Sequence, residues 1–346
     1  MPPMDEKRHF RMVDLPVWRE ELAPYVPRRV FDTHVHLIRR RDYLPDVVPE
    51  KLKSTAPAPI TKDFTYEHLN RTMTRLFPER KWEALIFHTP FRCIKIESSN
   101  RWVASLARRH RNVYPLMIAA PEMKPAYIES EIQTHGFLGL KPYEGLGSRP
   151  KKGEPRIRNF LTADHMKIAN ERGLIVVLHV PRKGRIGDPV NIHDVADLCN
   201  GYPGARIVLA HVGRSYGPYF IEQAIPTLKR CPNLWFDLAA LDEAETIEVL
   251  LENVSHRRVL FASDLPVTLL HGRHLCVNRH CFFMTEEPCP NSITPPKGHE
   301  FAMTFMLYET ARALIRAWNK RKLPRKALED MFYNNARHLV DLARRR

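Results

Sequence analysis

The stretch "VFDTHVH", Val30–His36, begins as an apolar run and ends in two histidines with one residue between them. In a β-strand the side chains of residues i and i+2 point to the same face, so His34 and His36 would aim two imidazoles at one place. Taken alone, the stretch allows two interpretations: a pair of metal ligands, or two histidines that end a strand. The rest of the chain has to decide between them.

Seven further short runs resemble this one, each nearly continuously apolar, which is typical of parallel strands covered on both faces. Amphipathic stretches of roughly 10–15 residues separate the runs and predict crossover helices. The alternation predicts an α/β fold, a (β/α)8 TIM barrel. A doubly wound open sheet is the alternative, but it should carry a glycine-rich turn after its first strand, where this chain has His-Val-His. The eight runs are residues 29–36, 83–90, 112–121, 136–143, 173–180, 205–213, 233–241 and 258–266.

The whole chain, residues 1–346, is predicted to form one barrel domain with three irregular segments. Residues 1–28 precede the first strand and are expected to pack on the barrel as an N-terminal arm. A proline-rich insertion, 39–63, follows strand one, and a long lid-like insertion, 265–298, follows strand eight. Loops after the strands of such a barrel lie at its carboxyl-terminal face, where the chemistry takes place. Two of the three segments should therefore lie at the mouth of an active site.

Polar residues recur at the carboxyl ends of the predicted strands, where burial disfavours them unless they are paired or bind a metal. Each alone is more often a capped or hydrogen-bonded residue, but together they form a set that the barrel would gather around one axis. Imidazoles and a carboxylate are typical ligands of Zn²⁺ and related ions, and a metal-bound water is a nucleophile near neutral pH. We therefore expect one divalent ion, Zn²⁺ in the first place, with Mn²⁺, Fe²⁺ or Co²⁺ also suited. The residues are His34, His36, His88, Lys141, His179, His211 and Asp264.

These strand-end motifs resemble those of the amidohydrolase superfamily, in particular the amidohydrolase 2 branch of metal-dependent hydrolases, lactonases and the aminocarboxymuconate semialdehyde decarboxylase group. The matching stretches are "DTHVH" (32–36), "GLKPY" (139–143), "VVLHV" (176–180), "VLAHVG" (208–213), "VLFASDLP" (259–266) and "FYNNARHLV" (332–340). The resemblance implies a catalytic role for Asp264, which would take a proton from the metal-bound water, and for His211 beside the metal. It implies four metal ligands: His34, His36, His179 and Asp264.

Lys141 bears on the number of metals. In binuclear members of the superfamily, a carboxylated lysine on strand four bridges two ions, whereas in the amidohydrolase 2 branch a Gly-x-Lys element occurs there without bridging. We therefore expect one metal, with Lys141 contacting an anionic substrate or the surrounding loop.

Basic residues follow several strands and indicate an anionic small-molecule substrate, because arginine suits bidentate recognition of carboxylates. We expect a small organic acid, or its lactone, amide or ester, to contact Arg92, Arg182 or Arg214, with Lys141 and His88 also in the substrate-binding set. The alternative is that the arginines only solvate the rim.

The expected activity is hydrolysis through the metal-bound water. The nearest alternative is a metal-dependent non-oxidative decarboxylase of an aromatic or unsaturated carboxylic acid. Many such enzymes carry a carboxylate in place of the first histidine, and this chain keeps both. A TatD-like nuclease would fit the net charge of +15, but those enzymes usually have a glutamate on strand four. A non-catalytic binding barrel is the remaining alternative, and nucleic acid is not the expected partner.

Composition favours a cytoplasmic protein that does not bind membranes, because the N-terminus lacks a signal-like apolar region and no run approaches the ~18 apolar residues of a membrane helix. The six cysteines are expected to be reduced thiols. The arm and the C-terminal helices could support a homodimer. The His- and Cys-rich stretch 271–289 matches no standard zinc knuckle spacing and is interpreted as part of the lid, with His271 or His274 reaching the substrate.

Overall fold

A computed structural model describes residues 5–44, 62–148, 150, 152–289 and 292–345 of the 346-residue chain. Its parallel strands lie in two sheets, of three and six strands. The first holds β1 (Arg29–His36), β2 (Lys81–Phe87) and β3 (Val113–Pro115). The second holds β4 (Met117–Ile118), β5 (Gly139–Lys141), β6 (Ile175–Leu178), β7 (Arg206–Leu209), β8 (Leu234–Asp237) and β9 (Val259–Leu260). Because β3 and β4 are separated only by Leu116, whose N–H donates to the Ile86 carbonyl (2.9 Å), they act as one strand of the barrel.

Backbone hydrogen bonds also join the last strand to the first. The Thr33 amide donates to the Phe261 carbonyl (3.1 Å), and the His36 amide donates to the Leu265 carbonyl (2.8 Å). Val35 and Leu265 form a parallel bridge. The strands thus form the predicted (β/α)8 barrel, and all eight predicted runs supply a strand.

Helices alternate with the strands and present apolar stripes to them. In the helix Tyr66–Leu76, Leu69, Met73 and Leu76 are buried at the i, i+4 and i+7 spacing of one helical face. The other barrel helices are Ile96–Arg109, Pro125–His135, Ala163–Arg172, Pro189–Gly201, Pro218–Leu228 and Ala244–Asn253. Three more follow the last barrel strand: Met306–Lys320, Arg325–Glu329 and Asn335–Arg344.

The N-terminal arm consists of a short helix, Glu6–His9, and two wide helical turns, Phe10–Asp14 and Val17–Leu22. It packs through Trp18, whose ring stacks on Tyr308 with centroids 6.1 Å apart and meets Phe77 edge-on at 5.6 Å. The arm is therefore held against the C-terminal helix Met306–Lys320 and the end of the first barrel helix.

The insertion after the last barrel strand contains an antiparallel hairpin, β10 (Gly272–Val277) and β11 (His280–Thr285), with β12 (Ser292–Ile293) beside it. Cys276 and Cys281 face each other across the hairpin and form a disulfide, so the prediction that all six cysteines are reduced is wrong for these two. Cys93, Cys199 and Cys231 are unbridged.

Most of the proline-rich segment predicted after strand one, 45–61, lies outside the described residues. Among the helices that the structure describes, none has the length and apolarity needed to span a membrane.

Candidate metal centre and active site

Five side chains gather at the carboxyl-terminal end of the barrel, as the strand-end pattern predicted. The ring centroid of His34 lies 5.2 Å from that of His36 and 5.0 Å from that of His211. The His179 and His211 rings are 5.2 Å apart. The Asp264 Oδ1 atom lies 3.3 Å from His36 Nε2 and 3.5 Å from His34 Nε2.

The backbone aims these side chains inward in two ways. Strand alternation places His34 and His36 on the same face of β1. His211 and Asp264 instead adopt left-handed backbone conformations, with φ of 55° and 70°, in the loops that follow β7 and β9. Such conformations are costly for residues other than glycine and persist only where the surroundings enforce them. Here, the His211 amide donates to Asp237 Oδ1 (2.7 Å), and the Asp264 amide donates to the His34 carbonyl (2.9 Å).

The hydrogen bonds of the histidines assign their protons. His34 Nδ1 meets Asp237 Oδ2 at 3.0 Å, His36 Nδ1 meets the His88 carbonyl at 3.4 Å, and His211 Nδ1 meets the Ala239 carbonyl at 2.8 Å. Since a carboxylate and a carbonyl only accept, each ring carries its proton on Nδ1 and keeps a lone pair on Nε2. The Nε2 lone pairs of His34 and His36 therefore face Asp264 Oδ1, which is also an acceptor.

At neutral pH, none of these three acceptors gains a proton that it could donate to the others. Burial lowers the pKa of His34 and His179 well below the ordinary histidine value, and it also lowers the pKa of His36, so these rings are neutral at neutral pH. Burial alone would raise the pKa of Asp264. At acid pH, where the imidazoles are protonated, the hydrogen bond with His36 and the charges of the histidines outweigh burial and bring the pKa to about 2, so Asp264 is ionised at neutral pH. Neutral imidazoles and an ionised carboxylate are the protonation states in which these groups bind a metal.

The residues thus fit a divalent ion. His34, His211 and Asp264 each offer a ligand atom, and the three atoms lie within 4.8 Å of one another. His179 Nδ1 is buried and has no hydrogen-bond partner among the described residues. The group of three contains His211, which the sequence placed beside the metal, and does not contain His36 or His179.

Lys141 lies inside the barrel, with 1% of its surface exposed. Its Nζ atom is 3.2 Å from His34 Nε2 and 4.9 Å from the centroid of the Phe87 ring. Burial lowers its pKa to about 8, against the opposing charges of Asp237 and Asp264. Lys141 is therefore a buried cation that touches a predicted metal ligand.

The three arginines of the predicted substrate set differ in their partners. Arg92 is exposed and forms an ion pair with Glu122 (2.9 Å). Arg182 lies 2.9 Å from an Asp188 carboxylate oxygen. Arg214 donates only to the Val180 and Arg182 carbonyls (3.4 and 3.5 Å), and among the described residues no carboxylate pairs with it.

Arg214 also lies close enough to the histidine cluster for its charge to contribute to the lowered pKa of His179, behind the larger effects of burial and of His211. Of the three arginines, it is the one left with an uncompensated charge near the site.

The His88 ring turns away from this cluster. Its Nε2 accepts from the Arg39 amide (3.3 Å) and lies 3.6 Å from Asp42 Oδ2. Only its carbonyl faces the cluster, as the acceptor for His36. The structure thus gives His88 a role in orienting His36 and shows no ring contact with the site.

The hairpin of the insertion packs beside the cluster through His274. Its Nδ1 lies 3.2 Å from both Asp242 oxygens, and its ring stacks on Tyr216 with centroids 3.9 Å apart. The Tyr216 ring is in turn 6.3 Å from that of His211. His271 faces the N-terminal arm instead, with its Nε2 3.2 Å from Asp14 Oδ2.

Sequence reasoning missed two neighbours of the site. Asp237 accepts the Nδ1–H of His34, and the feature of the sequence that could have revealed it is an acidic residue within the seventh apolar run. Tyr143 lies within the quoted "GLKPY" stretch, and its ring is 5.0 Å from that of His179.

Comparison with known proteins agrees with this geometry. A family model described as amidohydrolase matches residues 31–342. The chain belongs to the amidohydrolase family. No significant match is found among curated protein sequences.

Solved structures share the fold at low sequence identity. An amidohydrolase from Burkholderia multivorans with bound HEPES has a TM-score of 0.57 and 12% identity, over 90% of this chain and 99% of that one. A probable 2-pyrone-4,6-dicarboxylic acid hydrolase from Acinetobacter baumannii, with citric acid bound, has a TM-score of 0.55 and 11% identity, over 90% of this chain and 99% of that one. A 2,6-dihydroxybenzoate decarboxylase from Rhizobium has a TM-score of 0.53 and 12% identity, over 90% of this chain and 98% of that one.

Proposed function

We propose that this amidohydrolase is a metal-dependent hydrolase of a small anionic substrate, the lactone, amide or ester of an organic acid. One observation carries the proposal: the Nε2 lone pairs of His34 and His36 converge on the ionised Asp264 Oδ1 atom, at 3.5 and 3.3 Å. The Lys141 ammonium contacts His34 Nε2, but His36 Nε2 and Asp264 Oδ1 still face each other as two acceptors in a buried site, and a metal ion would satisfy both.

In this proposal, one divalent ion, Zn²⁺, is held by His34, His36, His179 and Asp264, with His211 adjacent. Bound there, it would lower the pKa of a water molecule and polarise the bond to be cleaved. Asp237 supports the site by accepting the Nδ1 proton of His34, which fixes the tautomer and the ring orientation.

Three side chains of the protein would then transfer the proton, orient the substrate and stabilise its charge. Asp264, ionised at neutral pH, accepts a proton from the attacking water and can return it to the leaving group. His211 donates its Nδ1–H to the Ala239 carbonyl, so its Nε2 faces the cluster and can orient a substrate oxygen. Lys141 supplies a positive charge within the site, which favours a substrate that is anionic or becomes so during the reaction.

Arg214 is our candidate for the substrate carboxylate. Arg92 and Arg182 already have carboxylate neighbours, whereas the guanidinium of Arg214 contacts only backbone carbonyls among the described residues. A guanidinium that has no carboxylate partner can offer two parallel N–H donors to a substrate carboxylate.

The test is a substrate screen of zinc-reloaded protein, with products followed by NMR and by carbon dioxide release. The panel contains lactones, amides and esters of small organic acids, together with hydroxybenzoic acids, and Asp264→Asn serves as the inactive control. Hydrolysis of one of the first three classes by the wild type supports the proposal. Carbon dioxide release from an aromatic acid without any hydrolysis would overturn it in favour of a decarboxylase.

A further inference from the structure

A second cluster of histidines and carboxylates joins the N-terminal arm to the base of the insertion hairpin. The arm contributes His9 and Asp14, and the insertion contributes His271 and Glu286. His9 Nε2 lies 3.0 Å from Glu286 Oε1, and His271 Nε2 lies 3.2 Å from Asp14 Oδ2. Segments from opposite ends of the chain thus meet through side chains that are all able to bind a metal.

We propose that His9, His271 and Glu286 bind a second divalent metal ion, of the zinc type, with Asp14 orienting the two imidazoles. One ligand atom from each of the three lies within 4.8 Å of the others. Tetrahedral zinc, with bonds of about 2.0–2.1 Å, holds its ligand atoms roughly 3.3 Å apart. His9 Nε2 and Glu286 Oε1, 3.0 Å apart, are already close to that spacing.

Asp14 has the surroundings of an orienting carboxylate. It is fully buried, and its Oδ1 accepts from the Thr304 hydroxyl (2.8 Å) and the Phe305 amide (3.3 Å). Its Oδ2 faces His9 Nδ1 (3.3 Å) as well as His271 Nε2. When Asp14 accepts one N–H from each ring, the remaining nitrogen of each histidine carries a lone pair and is free to bind a metal.

Charge and access favour an ion at this position. Burial opposes a charge on His9, but the contacts with Glu286 and Asp14 outweigh it and raise the pKa of His9 above its ordinary value. The cluster therefore attracts a cation, and a divalent ion would compete with the proton of His9 for that position. A cavity of about 480 Å³ opens beside the cluster, and its walls include His271, Glu286 and Phe305. The cavity gives an ion a route in and leaves room for a water as a further ligand.

The hairpin is already shaped to present the two insertion ligands. The Glu286 amide donates to the His271 carbonyl (3.0 Å), which fixes the two residues side by side at the open end of β10 and β11. An ion bound there would pin the arm to the hairpin. Because His274 of the same hairpin stacks on Tyr216 near the strand-end cluster, this pin would also help to hold the hairpin at the mouth.

The test is the zinc content of the purified full chain after zinc loading and exhaustive dialysis. We expect two zinc ions per wild-type chain and one in the double variant His9→Gln/His271→Gln. Glu286→Gln, a milder change, should bind the second zinc more weakly by tenfold or more. His280→Gln, an exposed residue of the same hairpin, is the matched control and should keep both ions.

Two outcomes would overturn the proposal: equal zinc content in the wild type and the folded double variant, or equal zinc affinity in the wild type and Glu286→Gln. Asp264→Asn separates this site from the strand-end site, because it should weaken only the latter. Limited trypsin digestion adds a second readout. Zinc should slow cleavage of the arm in the wild type but not in the double variant, and arm cleavage that is indifferent to zinc would contradict the pinning role.

Discussion

The two ends of the barrel each hold a partly buried carboxylate among polar side chains, but the partners are opposite in kind. Near the amino end, Glu83 of β2 accepts from the Tyr114 hydroxyl (2.6 Å), the Tyr333 hydroxyl and the guanidinium groups of Arg29 and Arg337 (3.1 Å each). At the carboxyl end, Asp264 faces Nε2 lone pairs of His34 and His36.

The difference separates a complete network from an incomplete one. The side chains of Glu83 and Asp264 are similarly buried, 17% and 13% exposed, so burial does not tell them apart. Every described partner of Glu83 is a donor, and the network contributes to stability without any ligand. In the Asp264 cluster, the Lys141 ammonium contacts His34, but Asp264 and His36 face each other as acceptors, and a bound metal ion would complete the set.

The largest expected effect comes from Asp264→Asn. The amide keeps the shape of the side chain but removes the charge and the proton acceptor, so kcat/KM should fall by about 10³-fold. Thermal stability of the metal-free protein should stay the same or rise, because the amide can donate to His36 Nε2. Steady-state kinetics and calorimetry check both halves. Activity within tenfold of the wild type would contradict the catalytic role of Asp264.

His88 extends the comparison, because it lies at the mouth of the barrel but its ring, like Glu83, belongs to a complete hydrogen-bond network. Burial lowers its pKa from 6.5 to about 4, so the unfolded chain binds a proton there that the folded chain does not. Stability should therefore fall as pH drops from 6.5 to 4, by about 3 kcal/mol from this residue. His88→Gln should flatten the urea-derived stability profile in that window. The exposed His193→Gln is the control, and equal slopes in all three proteins would contradict the assignment.

Glu83→Gln should show the reverse pattern of Asp264→Asn. Loss of the charged acceptor should cost about 2 kcal/mol at neutral pH, while kcat/KM should stay within twofold of the wild type. Burial opposes ionisation of Glu83, but its hydrogen bonds and the charge of Arg337 outweigh this and lower its pKa. Its contribution is therefore present above the ordinary glutamate pKa and is lost as pH falls through the lowered value. The gap between variant and wild type should close on acidification, and a gap that persists at acid pH would contradict this account.

The smallest effect is expected at the rim. Arg214→Gln should raise KM for the anionic substrate about tenfold, roughly 1.4 kcal/mol, with a smaller change in kcat. Arg92→Gln should leave both constants unchanged, because that arginine is paired with Glu122 in solvent. A KM change in Arg92→Gln but not in Arg214→Gln would exchange their roles.

The sequence predicted the barrel well, because its strands are buried on both faces and their composition alone marks them. The helix Tyr66–Leu76 shows the amphipathic pattern predicted between the runs, since Leu69, Met73 and Leu76 form a buried stripe on one face. Position on a strand end also sufficed to gather His34, His36, His179, His211 and Asp264.

Features that depend on side-chain direction or pairing could not be predicted in the same way. A strand end fixes the position of His88 but not the rotation of its ring toward Arg39 and Asp42. The Cys276–Cys281 disulfide depends on the register of a hairpin that the sequence did not indicate. The contact between His9 and Glu286 joins residues 277 positions apart, and no local pattern reveals it.

The central claim is that a metal ion binds between Asp264 and the Nε2 atoms of His34 and His36, where acceptors otherwise face one another. The most direct measurement is X-ray diffraction from crystals of the zinc-loaded protein, with anomalous maps calculated on both sides of the zinc edge. We predict a zinc peak in contact with Asp264 Oδ1 and the Nε2 atoms of His34 and His36, whether or not the arm site is also filled. Zinc-loaded crystals that show no peak there, with the Lys141 ammonium still against His34, would contradict the claim.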